Sequence, residues 1–241
     1  MYEPRTYRDW VRDKDLVSFT VAVKETDLHI RARRDLTAEA LEAVRRYRAD
    51  LEGYIKSHPI FLTTLKPFEV EQDASSIVKE MAEAAARVGV GPMAAVAGAI
   101  AESVGRELLR LSDEVIVENG GDIFLKTSKK RSIGVYAGES AFTKKIAFYI
   151  LPEETPLGVC TSSGTVGHSL SFGYADAVIV FSPSTSLADA AATAIGNMIR
   201  IPEDIPQALE FAQSIENLKG VAIIKGDKMG LWGQIKLSAV D

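Results

Sequence analysis

One cysteine, three histidines and no surplus of positive charge are what this 241-residue sequence has least of. The lone Cys160 excludes an intrachain disulfide. Lys and Arg number 28 against 33 Asp and Glu, for a formal net charge of -5, which argues against a nucleic-acid partner. Two short basic clusters, Arg31 with Arg33 and Arg34 and then Lys129 to Arg131, read as solvated turns. Long apolar runs are missing too. The longest small-apolar stretch, Val88 to Ala101, is broken by Gly and Pro and is too short to span a bilayer. The opening MYEPRTYRDW has no apolar signal core. These absences predict a chain with no membrane partner and a cytoplasmic location. His29 and His58 have no metal-like neighbours in sequence and read as structural.

What is present suffices for a packed core: 46% hydrophobic and 25% charged residues. Leu16 to Val23 and Leu28 to Arg34 alternate in polarity and predict a hairpin. Thr37 is placed to cap a helix carrying Leu41, Val44, Leu51 and Ile55. Phe61 to Leu65 reads as extended, and a helix from Ser75 to Val88 stops at Gly89. Pro92 opens a helix lined with Ala and Gly. Further strands are expected at Glu114 to Val117, Ile123 to Lys126, Ile133 to Tyr136, Ile146 to Leu151, Gly158 to Cys160 and Ala177 to Phe181. An Ala-rich helix from about Leu187 to Ile199, one after Pro202 and a closing hairpin complete the order. Strands and helices mix without a repeated βαβ rhythm, so the expected class is α+β, with antiparallel or mixed sheets. The chain reads as a single domain over 1–241. Its two Ala-rich helices suggest two pseudo-repeated halves, about 1–112 and 113–241.

Four segments could carry chemistry. In SPSTSLADAAATAIGN, Asp189 and Thr193 share a helix face one turn apart and offer hard oxygen donors suited to magnesium. The competing reading is local: Ser186 and Asp189 fit a capping box, and Thr193 can bond back to the preceding turn. In VENGGDIFL, Asn119, Gly120, Gly121 and Asp122 make either a plain hairpin turn or a turn that lets a flat or anionic ligand approach the backbone. In CTSSGTVGHSLSFG, Thr161, Ser162, Ser163 and Gly164 offer hydroxyls and amides to a phosphate, and His168 is a candidate acid, base or anchor. Cys160 reads as a buried strand residue. In GVGPMAAVAGAIAESVG, small residues serve tight helix packing, and a carbonyl near Ala97 or the Glu102 side chain is free to face a ligand.

The order GPMAAVAGAIAESVG, ENGGDI, CTSSGTVGHS and ADAAAT resembles the ApbE-like superfamily, whose best known members transfer FMN from FAD to a Thr or Ser of a target protein. HPIFLTTLKPF, VGVGPMAAVAGAIAE and ADAAATAIGN bring the chain closer to an uncharacterised prokaryotic branch of it. The resemblance implies a duplicated α+β arrangement grouped with T-folds. It implies magnesium on Asp189 and Thr193, completed by a backbone carbonyl for which Ala97 is the candidate. It puts Gly120, Gly121 and Asp122 near the flavin and matches Ser163 and Gly164 to the family's Ser-Gly. The chain departs from the transferases in two ways. It lacks their His-Ile-Ile-Asp-Pro segment, leaving His168 in a shorter loop, and it has Ala97-Gly98 where they have Lys-Gly, with Glu102 standing for the following acid.

Two functions follow from the resemblance. One is a magnesium-dependent protein that binds FAD or another flavin or nucleotide diphosphate and transfers or hydrolyses it, with His168 and Asp122 as catalytic residues. The other is an accessory protein, linked with sulfur assimilation, that keeps the site without FMN transfer. The implied partners are a small-molecule nucleotide or flavin, with a protein partner or a homodimer as alternatives.

Overall fold

Alternation and turn chemistry set the first elements. The structure, a computed structural model, describes residues 15–164 and 172–239. Strands β1 (Val17–Val23) and β2 (Thr26–Ala32) pair antiparallel across Lys24 and Glu25. The helix α1 (Thr37–Ser57) begins differently from expectation. Leu36 holds the cap position, and the Asp35 carboxylate accepts from the Thr37 amide and hydroxyl at 2.8 and 2.6 Å. The run from Phe61 to Leu65 is not extended throughout, because one helical turn, α2 (Ile60–Thr63), occupies most of it. The cause is tertiary: Phe61 is fully buried, edge-on to the rings of Tyr54 and Phe68. Helix α3 (Ser76–Val88) stops at Gly89, whose φ of 75° is the left-handed stop expected of glycine. A 3-10 turn, Pro92–Ala95, then leads into α4 (Val96–Leu108).

Strands β3 (Val115–Asn119), β4 (Asp122–Lys126), β5 (Arg131–Gly134), β6 (Ile146–Ile150), β7 (Leu157–Ser162) and β8 (Ala177–Ser182) follow. Helices α5 (Thr185–Gly196) and α6 (Ile205–Ser214) precede β9 (Gly220–Lys225), β10 (Lys228–Gly233) and β11 (Leu237–Ala239). Eight strands form one sheet in the order β1-β2-β3-β4-β7-β8-β9-β10, and β11-β6-β5 form a second. Every pairing among the described residues is antiparallel, which is the α+β class expected. Within the large sheet, a hairpin, a set of helices and a second hairpin occur in that order twice.

The helices cover one face of the large sheet and the small sheet covers the other. Strand β8 shows why its sequence is apolar throughout. Val178 and Val180 point into the helix-side core, whereas Ala177, Ile179 and Phe181 point into the small-sheet core. Helix α5 packs against β7, β8, α3 and α4 at once. Its long run of alanines is thus core on nearly every side. No single helix among the described residues is long and apolar enough to cross a membrane.

Opposite the turn between β3 and β4, buried charge pins the sheet. Glu114, fully buried, accepts from Arg131 Nη2 at 2.8 Å and from the Thr127 hydroxyl at 2.9 Å, and it also pairs with Arg33. Arg131 also binds Asp15 at 2.8 Å. Burial pushes the Glu114 carboxyl up, but hydrogen bonds from Ser128, Arg131 and Thr127 outweigh it and hold the group at about 2 against an ordinary 4.5. A carboxyl depressed by folding stabilises the fold above its unfolded value, and the gain is lost as pH falls from there through the folded value. Glu114→Gln should therefore cost on the order of 3 kcal/mol near neutral pH, since it leaves buried arginine charge underpaired. In urea unfolding, the gap between parent and variant should narrow as pH is lowered from about 7 to about 3.

Candidate functional site

Three elements converge at the other end of the sheet. The first is the start of α4. The Ala97 carbonyl accepts from Asn119 Nδ2 at 3.1 Å, which fixes a first-turn peptide of α4 against the end of β3. The second is the hairpin between β3 and β4. Asn119 pairs with Asp122 across Gly120 and Gly121, at φ of 68° and 110°. Positive φ at both central residues is the geometry of a tight two-residue hairpin, and glycine adopts it without a Cβ clash. The Gly121 amide donates to Glu118 Oε1 at 3.1 Å. The third is α5, which carries Asp189 and Thr193 on one face, both half-buried.

Helices α4 and α5 touch without intervening side chains at Gly98. A Cβ there would lie 2.4 Å from the Thr185 carbonyl oxygen and 2.8 Å from Asp189 Cβ. This closeness lets the Gly98 amide donate to Asp189 Oδ2 at 2.8 Å. The capping-box reading of Ser186 and Asp189 is therefore corrected. Ser184 is the N-cap, its hydroxyl accepting from the Leu187 amide at 3.2 Å, and Asp189 turns to α4 instead. Helix α5 also begins at Thr185, before the expected Leu187.

The electrostatics of the junction are one-sided. Burial and the neighbouring Asp122 charge push the Asp189 carboxyl well above the usual carboxylate range, against the pull of the Gly98 and Ala97 amides. Asp122 is itself buried at the start of β4. Cys160 lies beside them on β7, fully buried, its thiol donating to the Thr185 carbonyl at 3.4 Å. Burial and then Asp122 and Asp189 push that thiol up, which keeps it protonated and unreactive.

Thr161 and Ser162 end β7, half-buried, with Ser162 Oγ the nearest atom to where a Gly196 Cβ would stand, at 3.5 Å. Gly121 faces the same strand end, since its Cβ would lie 3.9 Å from the Thr161 carbonyl oxygen. Ser163 is half-buried and Gly164 exposed, and the Gly164 amide donates to the Ala175 carbonyl at 2.9 Å. His168 falls in the segment 165–171, outside the described residues. The other histidines have structural partners: His29 meets Ser18 at 2.5 Å, and His58 stacks on Tyr54 and reaches Glu71 at 3.2 Å.

Sequence reasoning missed Gly98 and the use of Glu102. Glu102 is turned to the start of α5. Buried to 4% exposure, it accepts from the Thr185 and Ser186 amides at 2.6 and 3.3 Å and from Arg106 Nε at 2.9 Å. The four-residue spacing of Gly98, Glu102 and Arg106 was the available signal, because it puts all three on one face of α4.

The described residues contain no group of three or more His, Cys, Asp or Glu able to hold a metal. The donor set is instead of the sparse kind suited to magnesium, which needs few protein oxygens beside a phosphate. The Gly98 amide engages Asp189 Oδ2 and the Ala97 amide also pulls on that carboxylate, while the Ala97 carbonyl takes Asn119 Nδ2 beside its place in the α4 ladder.

The family model described as AbpE bacteria matches residues 8–235. A UPF0280 protein of Methanococcus aeolicus is 43% identical over 221 residues, covering 89% of this chain and 89% of its own. A UPF0280 protein of Methanosarcina barkeri is 43% identical over 216 residues, covering 88% of this chain and 85% of its own. Among solved structures, flavin transferase ApbE from Vibrio cholerae superposes with a TM-score of 0.60 at 13% identity, over 93% of this chain and 96% of that one. The ApbE protein from Thermotoga maritima does so at 0.59 and 13%, over 89% and 96%. At such identity these structures speak for the fold.

Gly98→Ala tests the closeness of the junction. The added methyl group meets backbone rather than a movable side chain tip, so stability should fall by about 1–3 kcal/mol in urea unfolding. An unchanged midpoint would mean that α4 and α5 part without cost.

Proposed function

We propose, from the premise that the chain belongs to the AbpE bacteria family, that it binds a flavin or nucleotide diphosphate through a divalent cation. Asp189, Thr193 and the Ala97 carbonyl would hold the cation. The observation that carries this reading is the meeting of α4 and α5 at Asp189 and Ala97, with the like charge of Asp122 beside Asp189. The flavin transferase from Vibrio cholerae named above shares the fold and supports a flavin as the organic part.

A bound divalent cation supplies neutralisation of phosphate charge and polarisation of a phosphoryl oxygen. The rest falls to the chain. The Gly120–Gly121 turn has no side chain to keep a flat ring from its backbone. The hydroxyls of Thr161, Ser162 and Ser163 are suited to phosphate oxygens, whereas the Gly164 amide, also expected there, is taken by the Ala175 carbonyl. Asp122, fixed by the hairpin, orients a ligand hydroxyl or amide, and His168 moves the proton if the diphosphate is cleaved. A cytoplasmic location without nucleic-acid or membrane partners fits a negative chain acting on a small molecule. Transfer and hydrolysis both use this arrangement. The sulfur-linked accessory reading has no support from Cys160, whose thiol is sealed in the core.

Thermal unfolding with FAD, FMN and ADP, each with and without magnesium, tests the reading. Near a hundredfold excess over Kd, the ligand with magnesium should raise Tm by about 5–10 °C, and by much less without it. Asp189→Asn should lose the magnesium-dependent part while matching or exceeding the parent's Tm without cation, because it removes a disfavoured charge. An equal magnesium-dependent rise in Asp189→Asn would exclude the assigned cation site.

A further inference from the structure

The contacts between α4 and α5 are reciprocal. Asp189, from α5, accepts from a first-turn amide of α4. Glu102, from α4, accepts from the first two amides of α5, Thr185 and Ser186. Each helix therefore places a carboxylate on the partner's N-terminal amides, where the helix dipole favours negative charge. The two carboxylates differ in what neutralises them. One turn beyond Glu102 stands Arg106, which binds Glu102 Oε1 through Nε at 2.9 Å and Nη2 at 2.5 Å. One turn beyond Asp189 stands Thr193, a hydroxyl without charge, and the neighbouring charge on Asp189 is the like charge of Asp122.

We infer that Glu102 is a positioning residue for the cation site, with Arg106 serving Glu102 as a bound cation serves Asp189. This rests on the reading of Asp189 as a cation ligand. The two helices supply the donors: Ala97 lies on α4, and Asp189 and Thr193 lie on α5. Glu102 is the side chain of α4 that grips the start of α5, one turn before Asp189. It sets how far along α4 the Asp189 carboxylate stands from the Ala97 carbonyl. Magnesium and manganese tolerate little error in that spacing. Arg106 holds Glu102 Oε1 while the Thr185 and Ser186 amides hold Oε2, so the grip is complete without the guest. In this account α4 and α5 are locked by a carboxylate with an internal cation and presented to solvent by one without.

Manganese binding to the full chain, followed by the electron paramagnetic resonance of free Mn2+ well below each protein's Tm, separates reach from charge. Glu102→Asp keeps the charge but shortens the side chain by one methylene, and should weaken Mn2+ binding about tenfold, the scale of outer-shell effects on metal sites. Glu102→Gln keeps an acceptor at full length and loses the charge, and should stay closer to the parent. Both variants are conservative enough to fold, which circular dichroism checks. Parent-like affinity in Glu102→Asp, or a weaker site in Glu102→Gln than in Glu102→Asp, would overturn the positioning role. Asp189→Asn binding Mn2+ as the parent does, or no Mn2+ binding by the parent, would overturn the underlying cation reading instead, and the two failures are told apart by that control.

Discussion

The Gly98 amide and the Asp189 carboxylate meet at 2.8 Å, and the Glu102 carboxylate and the Thr185 amide at 2.6 Å. These contacts require two helices to approach until backbone meets backbone, and Gly98 is what permits it. A carboxylate taken out of water is costly unless hydrogen-bonded donors replace its hydration. Here the donors are the first-turn amides of the opposite helix, groups that otherwise lack intrahelical partners. Each helix end and each acid satisfies part of the other's requirement. The alanines of α5 follow from this closeness, since α5 must also pack on β7, β8 and α3.

From that junction the site follows by addition. Asn119, ending β3, fastens the Ala97 peptide of α4 to the large sheet. The glycines after it turn the chain so tightly that Asp122 comes back beside Asp189 and Cys160. The far end of the same strands is closed by Glu114, Arg131, Arg33 and Asp15, where opposite charges balance inside the chain. One end of the sheet is therefore neutralised internally. The other gathers acidic oxygens, with Asp122 beside Asp189. That contrast is the physical ground for assigning the second end to a cation and an anionic ligand.

Much of the architecture was legible in the sequence because it is local. Alternation predicted the first hairpin, Gly120 and Gly121 predicted the turn after β3, and Gly89 predicted the end of α3. The strand order and the partners of the acids were not legible. The Gly98–Asp189 contact spans 91 positions and the Glu102–Thr185 contact 83, and no periodicity encodes which helix will lie against which. Local rules even misled at two places. Ser186 and Asp189 have capping-box spacing, but Asp189 finds a better donor on another helix. Phe61 to Leu65 reads as extended, but burying Phe61 between Tyr54 and Phe68 coils it. The motif order carried the family, whereas the division of labour between Glu102 and Asp189 needed the fold.

The central claim is that the Asp189 carboxylate and the Ala97 carbonyl share one cation at the α4–α5 junction. Crystals of the protein grown with Mn2+ and FAD, measured at the manganese absorption edge, test it most directly. The account predicts an anomalous peak at about 2.0–2.3 Å from Asp189 Oδ1, the Thr193 hydroxyl and the Ala97 carbonyl, with phosphate oxygens completing the shell. Electron density for bound FAD with no anomalous peak between those oxygens, or with the peak on other residues, would contradict it.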